Sequence, residues 1–169
     1  MPSVLRINVR DLLERRRIES KRILDEMPEL LSAQEDIEAA VAERRAGRED
    51  RAHEHFVRAG EAVFEDVRAL HEFAQCKLRL TAGLSGRRDP RDQEARRAIL
   101  LEARDLLQRV LQMDAPPTRH GWAWFDLGRV RRWLGEAPTS MREAFEEAAR
   151  LCPGEERFQR ELLRAREGD

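Results

Sequence analysis

The 169-residue chain contains no tyrosine, and aromatic residues make up only 5% of it. With few β-branched residues besides, it lacks the side chains that a sheet core is built from. Cysteine is confined to Cys76 and Cys152, without a CxxC or any other ligand-like spacing. Both read as small buried hydrophobes, and neither a disulfide nor a metal site is expected. Lysine occurs only at Lys21 and Lys77, so arginine carries nearly all the positive charge. A GC-rich bacterial genome and a warm habitat fit that usage equally. No apolar run approaches the ~20 residues of a membrane span. The opening MPSVLRINVR lacks the apolar segment of a signal peptide. A cytoplasmic protein with no membrane contact is the expectation.

Signatures of chemistry are missing too. The sequence holds no GxxxxGK[ST] loop, no GxGxxG fingerprint and no GxSxG elbow. His71-Glu72-Phe73-Ala74-Gln75 stops one residue short of HExxH. Gln75 stands where a second histidine, one turn along the same face, would share the metal. His53 and His55 point about 200° apart on a helix and read as surface residues. His120 falls in the loop before Trp122, with no Ser or Cys near it in sequence. No catalytic residue, metal ligand or cofactor is expected, which leaves a site assembled only in three dimensions as the one enzymatic rival.

What the chain has in quantity is charge. Charged residues reach 38%, against roughly 25% in an average soluble domain, and hydrophobic residues make up 41%. That mixture suits amphipathic helices, so the fold class is expected to be all-α. The net charge of −1 points as a whole to neither nucleic acid nor membrane. Locally the charge is uneven. Arg6, Arg10, Arg15, Arg16, Arg17, Lys21 and Arg22 precede an acidic stretch from Asp25 to Glu43. The basic block could neutralise phosphates, but no aromatics are interleaved for base stacking. The blander reading pairs these charges within and between helices. A second cluster, Arg87, Arg88, Arg91, Arg96 and Arg97, is diluted by Asp89, Asp92 and Glu94.

Taken in order, residues 3 to 9 alternate as a short strand would, and a flexible arm leading to an N-cap at Asn8 fits equally. A first helix is expected from Val9 to Glu26, ended by Pro28. Ser32-Ala33-Gln34-Glu35 reads as a capping box opening a second helix to about Ala46, with Ile37, Ala40 and Val41 inward and Gly47 loosening the join. Phe56, Gly60, Val63, Val67, Leu70, Ala74 and Leu78 recur at steps of four and three, the stripe of one amphipathic helix over residues 50 to 82. GLSGRRDP is a loop. A further helix runs from about Gln93 to Met113 through Ile99, Ala103, Leu106, Leu107, Val110 and Leu111. A last one carries Phe158, Leu162 and Ala165 on one side. The chain divides into a basic-then-acidic helical segment, 1–47, and a helical domain, 48–169.

The stretch from Trp122 to Pro153 resembles a tetratricopeptide repeat. Trp124, Leu127 and Gly128 match its W-x2-L-G opening, Gly135 the end of its first helix, and Phe145, Ala148 and Pro153 its second helix and close. Gly128 would let two helices approach closely, and Gly135 would take a positive φ. Three positions depart from the pattern. Arg131 replaces Tyr, Met141 replaces a small Ala, and Ala137-Pro138-Thr139 lengthens the turn by about one residue over the usual 34. The stretch ARDLLQRVLQMD resembles the second helix of a degenerate preceding repeat, with Ala103, Leu107 and Val110 at the family's A, F and A positions, followed by a long connection, APPTRHGW. The resemblance implies antiparallel helical hairpins stacked as a short array, closed by a C-terminal capping helix.

It also implies a job, that of a non-enzymatic adaptor or accessory subunit of a larger bacterial complex. In the family, the second, fifth, ninth and twelfth positions of the first helix contact ligands. These fall on Trp122, Phe125, Arg129 and Arg132, opposite the packing residues Trp124, Leu127 and Leu134. An aromatic pair beside two guanidinium groups suits a protein partner presenting an acidic peptide or helix with an apolar anchor. The acidic stretch from Asp25 to Glu43 is the rival occupant of that groove. The alternative function is a nucleic-acid-associated subunit using the Arg-rich N-terminal helix. The sequence leaves the partner's identity and the oligomeric state open.

Overall fold

Residues 28–86 and 89–167 are described by the computed structural model. The SVLRINV stretch, the helix expected over residues 9–26, the basic block from Arg6 to Arg22, and Arg87 and Arg88 lie outside the described residues. Within them 84% of residues are helical and no strand occurs. The elements are α1 (Pro28–Arg45), α2 (Glu49–Ala59), the single turn α3 (Ala62–Glu65), α4 (Val67–Ala82), α5 (Pro90–Gln112), α6 (Pro117–Leu134), α7 (Pro138–Leu151) and α8 (Glu156–Glu167). None is long and apolar enough to cross a membrane.

Prolines and glycines set the boundaries. Pro28, Pro90, Pro117 and Pro138 are first residues of helices, where a missing N–H costs nothing and the fixed φ is already helical. At the end of α6, Gly135 adopts φ 69° and ψ 32° as expected. Its N–H donates to the Arg132 carbonyl, and that of Glu136 reaches back to Arg131. This is the paired hydrogen-bond pattern of a Schellman cap. Gly47 does the same for α1, with φ 74° and the Arg48 N–H donating to the Glu43 carbonyl at 2.9 Å. It therefore closes a helix, where the sequence suggested only a loose join.

Three expectations are corrected. The stripe over residues 50–82 is not one helix. Gly60, at φ 58°, ends α2, and Asp66 caps α4 by accepting from the Arg68 and Ala69 N–H groups at 2.7 and 3.1 Å. Its apolar members are nonetheless inside, since Phe56, Val63, Leu70, Ala74 and Leu78 are all buried. Ser32–Glu35 opens no helix, because α1 runs through it from Pro28. Proline at a first helical position is the stronger start signal there. Lastly, α6 begins at Pro117, which takes His120 out of the loop and into the helix. From there its Nε2 donates to the Met113 carbonyl at 3.0 Å, satisfying a carbonyl just past the end of α5.

Each helix packs on its neighbour in sequence, α1 on α2, α4 on α5, α5 on α6, α6 on α7 and α7 on α8, while α2 also meets α4 and α4 touches α6. One apolar cluster runs from Ile37, Ala40 and Val41 of α1 through Leu70, Leu100 and Leu107 to Val130 of α6. It joins the segments before and after Gly47. A second cluster holds Phe125, Phe145, Phe158 and Leu162 between α6, α7 and α8. Fully burying one such side chain is worth about 1.5–3 kcal/mol, so α8 is held on chiefly by Phe158 and Leu162.

Candidate binding groove

The four residues singled out in sequence lie on or beneath one groove bounded by α4, α6 and α8. Trp122, Phe125 and Arg129 line a recess of about 510 Å³, and Phe125, Arg129 and Arg132 line the adjoining one. They are not equivalent. Phe125 is only 3% exposed, stacked on Phe158 at 4.7 Å, so it forms the floor and offers no open ring. Trp122 stands half-buried with its ring edge-to-face to Phe125 and Phe158, at 5.7 and 4.8 Å. Arg129 lies over Trp133 at 4.7 Å and donates to Asp126 at 3.3 Å. Arg132 bonds Glu161 of α8 at 2.6 Å and sits over Phe145 at 5.0 Å.

The groove is more cationic than the sequence revealed. Arg44 of α1, Arg79 of α4, Arg96 of α5 and Arg157 of α8 line the first recess with Arg129. Arg160 and Arg164 of α8 add to the second. Arg157, Arg160 and Arg164 repeat at three and four along α8, which puts them on one face. That spacing is legible in the sequence, where it reads as the polar side of a capping helix. The acids in the groove are already engaged. Glu161 accepts from both Arg132 and Arg164, the latter at 2.8 Å. Burial works to raise its pKa, and those guanidinium contacts outweigh it and hold the carboxyl below its ordinary value.

Beneath the floor lies a buried polar group that no sequence motif announced. Asp126 and His71 are each 4% exposed, with His71 Nε2 3.5 Å from Asp126 Oδ2. Gln75 donates to the same oxygen at 3.0 Å. The would-be metal helix thus spends His71 and Gln75 on tying α4 to α6. Among the described residues no group of three or more His, Cys, Asp or Glu could hold a metal. His53 and His55 are half-buried, contrary to the surface positions expected. His53 faces Phe73 at 5.7 Å, and burial, helped by nearby Lys77, depresses its pKa. Cys76 is buried as expected, which pushes its thiol up to about 12.

The described part of the acidic stretch does not reach Arg129 or Arg132. Asp36 pairs with His55 and Arg58 at 2.7 and 3.0 Å, Glu38 with Arg68 at 3.1 Å, and Glu43 with Arg48. Each of these partners belongs to the α1–α4 end. Arg44 is itself held by Glu72 of α4. Comparison with protein-family models and with curated proteins gave no match.

Proposed function

We propose that the protein is a non-enzymatic adaptor or accessory subunit of a larger bacterial assembly, working in the cytoplasm, whose groove between α4, α6 and α8 holds an acidic segment of a protein partner. The observation that carries this reading is the groove itself. Guanidinium groups from five helices converge on it, while the whole chain has a net charge of only −1. Bidentate arginine–carboxylate pairing is the strongest polar contact such a surface can make.

A tetratricopeptide-like architecture fits this use. Consecutive helices pack in sequence order across short connections. Reading α4–α5 and α6–α7 as stacked hairpins, with α8 as the closing helix, puts the first helix of each pair on the groove side. The nucleic-acid alternative drew on the Arg-rich N-terminal helix, outside the described residues, and the groove offers it charge without an open stacking face. The test is capture of partners from the native host with the wild-type chain and with Arg129→Glu combined with Arg132→Glu. Loss of a specific protein partner at an unchanged melting temperature supports the groove. Retention of every partner rejects it.

A further inference from the structure

We infer that the occupant presents a carboxylate to Arg129 of α6 and to Arg157 and Arg160 of α8, so that α8 is a wall of the binding site as well as the end of the array. This rests on the groove reading above and specifies its chemistry. The structure already contains one example of the arrangement. Glu161 lies between Arg132 of α6 and Arg164 of α8, at 2.6 and 2.8 Å. Earlier on each helix stand Arg129, about one turn before Arg132 on α6, and Arg160 and Arg157, about one and two turns before Arg164 on α8. Arg129 and Arg157 line both recesses, and Arg160 lines the second.

In this second bracket the acids that line the recesses are already engaged, Asp126 by Arg129 and Glu161 by Arg132 and Arg164. Arg157 and Arg160 have no acidic partner among the described residues, and Arg129 has only the buried Asp126 below it. Arg96 lines the first recess with Arg129 and Arg157, its Nε buried and without a hydrogen-bond partner among the described residues. Arg157 and Arg160 thus stand near other guanidinium groups with no paired acid, and an incoming carboxylate offsets that like-charge repulsion.

The aromatic faces decide between an acidic peptide and a single-stranded nucleic acid. A stacked base needs an open ring. Arg129 covers Trp133 at 4.7 Å, and Arg157 lies over Trp122 at 5.7 Å, whose ring is packed on Phe125 and Phe158. Guanidinium groups already occupy the positions a base would take. A carboxylate approaches their edges instead, and needs no ring face.

The test uses the full chain and two probes, a labelled oligoglutamate peptide carrying one central phenylalanine and an oligo-dT of the same length. Binding is followed by fluorescence anisotropy at about 50 mM salt, where electrostatic contacts are least screened. Arg157→Ala with Arg160→Ala should weaken peptide binding by about ten-fold or more. Arg150→Ala on α7, paired with Glu147 away from the groove, should change it by less than about two-fold. Should the double variant melt early, Arg160→Ala alone carries the test at about three-fold. If the α8 variants bind as the wild type does while Arg129→Glu with Arg132→Glu loses the peptide, the groove stands and the assignment of α8 is overturned. If oligo-dT binds at least as tightly as the peptide and displaces it, the carboxylate occupant is overturned. A wild-type chain that binds no peptide up to about millimolar concentration rejects both readings.

Discussion

Gly128 of α6 lies directly against the ring of Phe145 of α7. A Cβ placed on Gly128 would be 2.7 Å from Phe145 Cε1 and 2.9 Å from both Cδ1 and Cζ. The whole ring edge occupies the space a side chain would take, and Phe145 is itself fully buried. The close approach of α6 and α7 therefore depends on a missing methyl group, and the same device recurs at Gly121. There a Cβ would meet Cys152 Sγ at 2.5 Å.

Gly128→Leu should destabilise the protein. Overpacking of a tight core contact costs about 1–3 kcal/mol, and the helix-propensity gain from replacing glycine offsets at most about 1 kcal/mol. A melting temperature equal to or above wild type would contradict the close-approach argument. Pairing the change with Phe145→Leu should cost less than the sum of the two single changes, because both act on the same space.

Asp66→Ala should cost about 0.5–2 kcal/mol by removing the side-chain cap of α4. Two backbone N–H groups lose their acceptor. Denaturant unfolding measures the loss, and Asp66→Asn or Asp66→Ser should recover most of it. If alanine and asparagine behave alike, the cap is not what starts this helix.

Two carboxylates make opposite contributions to stability as pH changes. The His55 hydrogen bond, against an opposing effect of burial and with help from Arg58, lowers the Asp36 pKa from 3.8. Its contribution is present above that ordinary value and is lost as pH falls through the lowered one. Burial raises the pKa of Glu49 from 4.5, with Arg79 and Arg44 only partly compensating. The folded state therefore binds that proton more tightly, and stability is lost as pH rises through the raised value. Glu49→Gln should be more stable than wild type at neutral pH, with the difference fading below the ordinary carboxylate range. Asp36→Asn should be less stable at neutral pH, with the same fading in acid. Melting curves across pH check both, and a Glu49→Gln gain that persists unchanged in acid would contradict the sign.

Burial was easier to read from the sequence than continuity. Phe56, Val63 and Leu70 are seven apart, and this spacing keeps its phase across α3, so the break at Gly60 left the stripe intact and hid itself. The cap at Asp66 was the available signal. Around Ser32 the chain offers both a capping-box pattern and a proline, and α1 takes the proline. The pairing of His71 with Asp126 joins residues far apart in sequence on different helices, and no local pattern carries that information. The arginines of α8 were legible as a face, yet only the structure puts that face beside Arg129.

The three tryptophans test the groove most directly. Trp122 and Trp133 line it, while Trp124, packed against both apolar clusters, lines neither recess. Two-dimensional NMR resolves the three indole N–H signals, assigned by single Trp→Phe changes and followed as the acidic peptide is added. Binding in the groove requires the Trp122 and Trp133 signals to move together along one saturating curve while that of Trp124 stays in place. A saturating shift confined to Trp124, or peptide binding that moves none of the three, would contradict a groove between α4, α6 and α8.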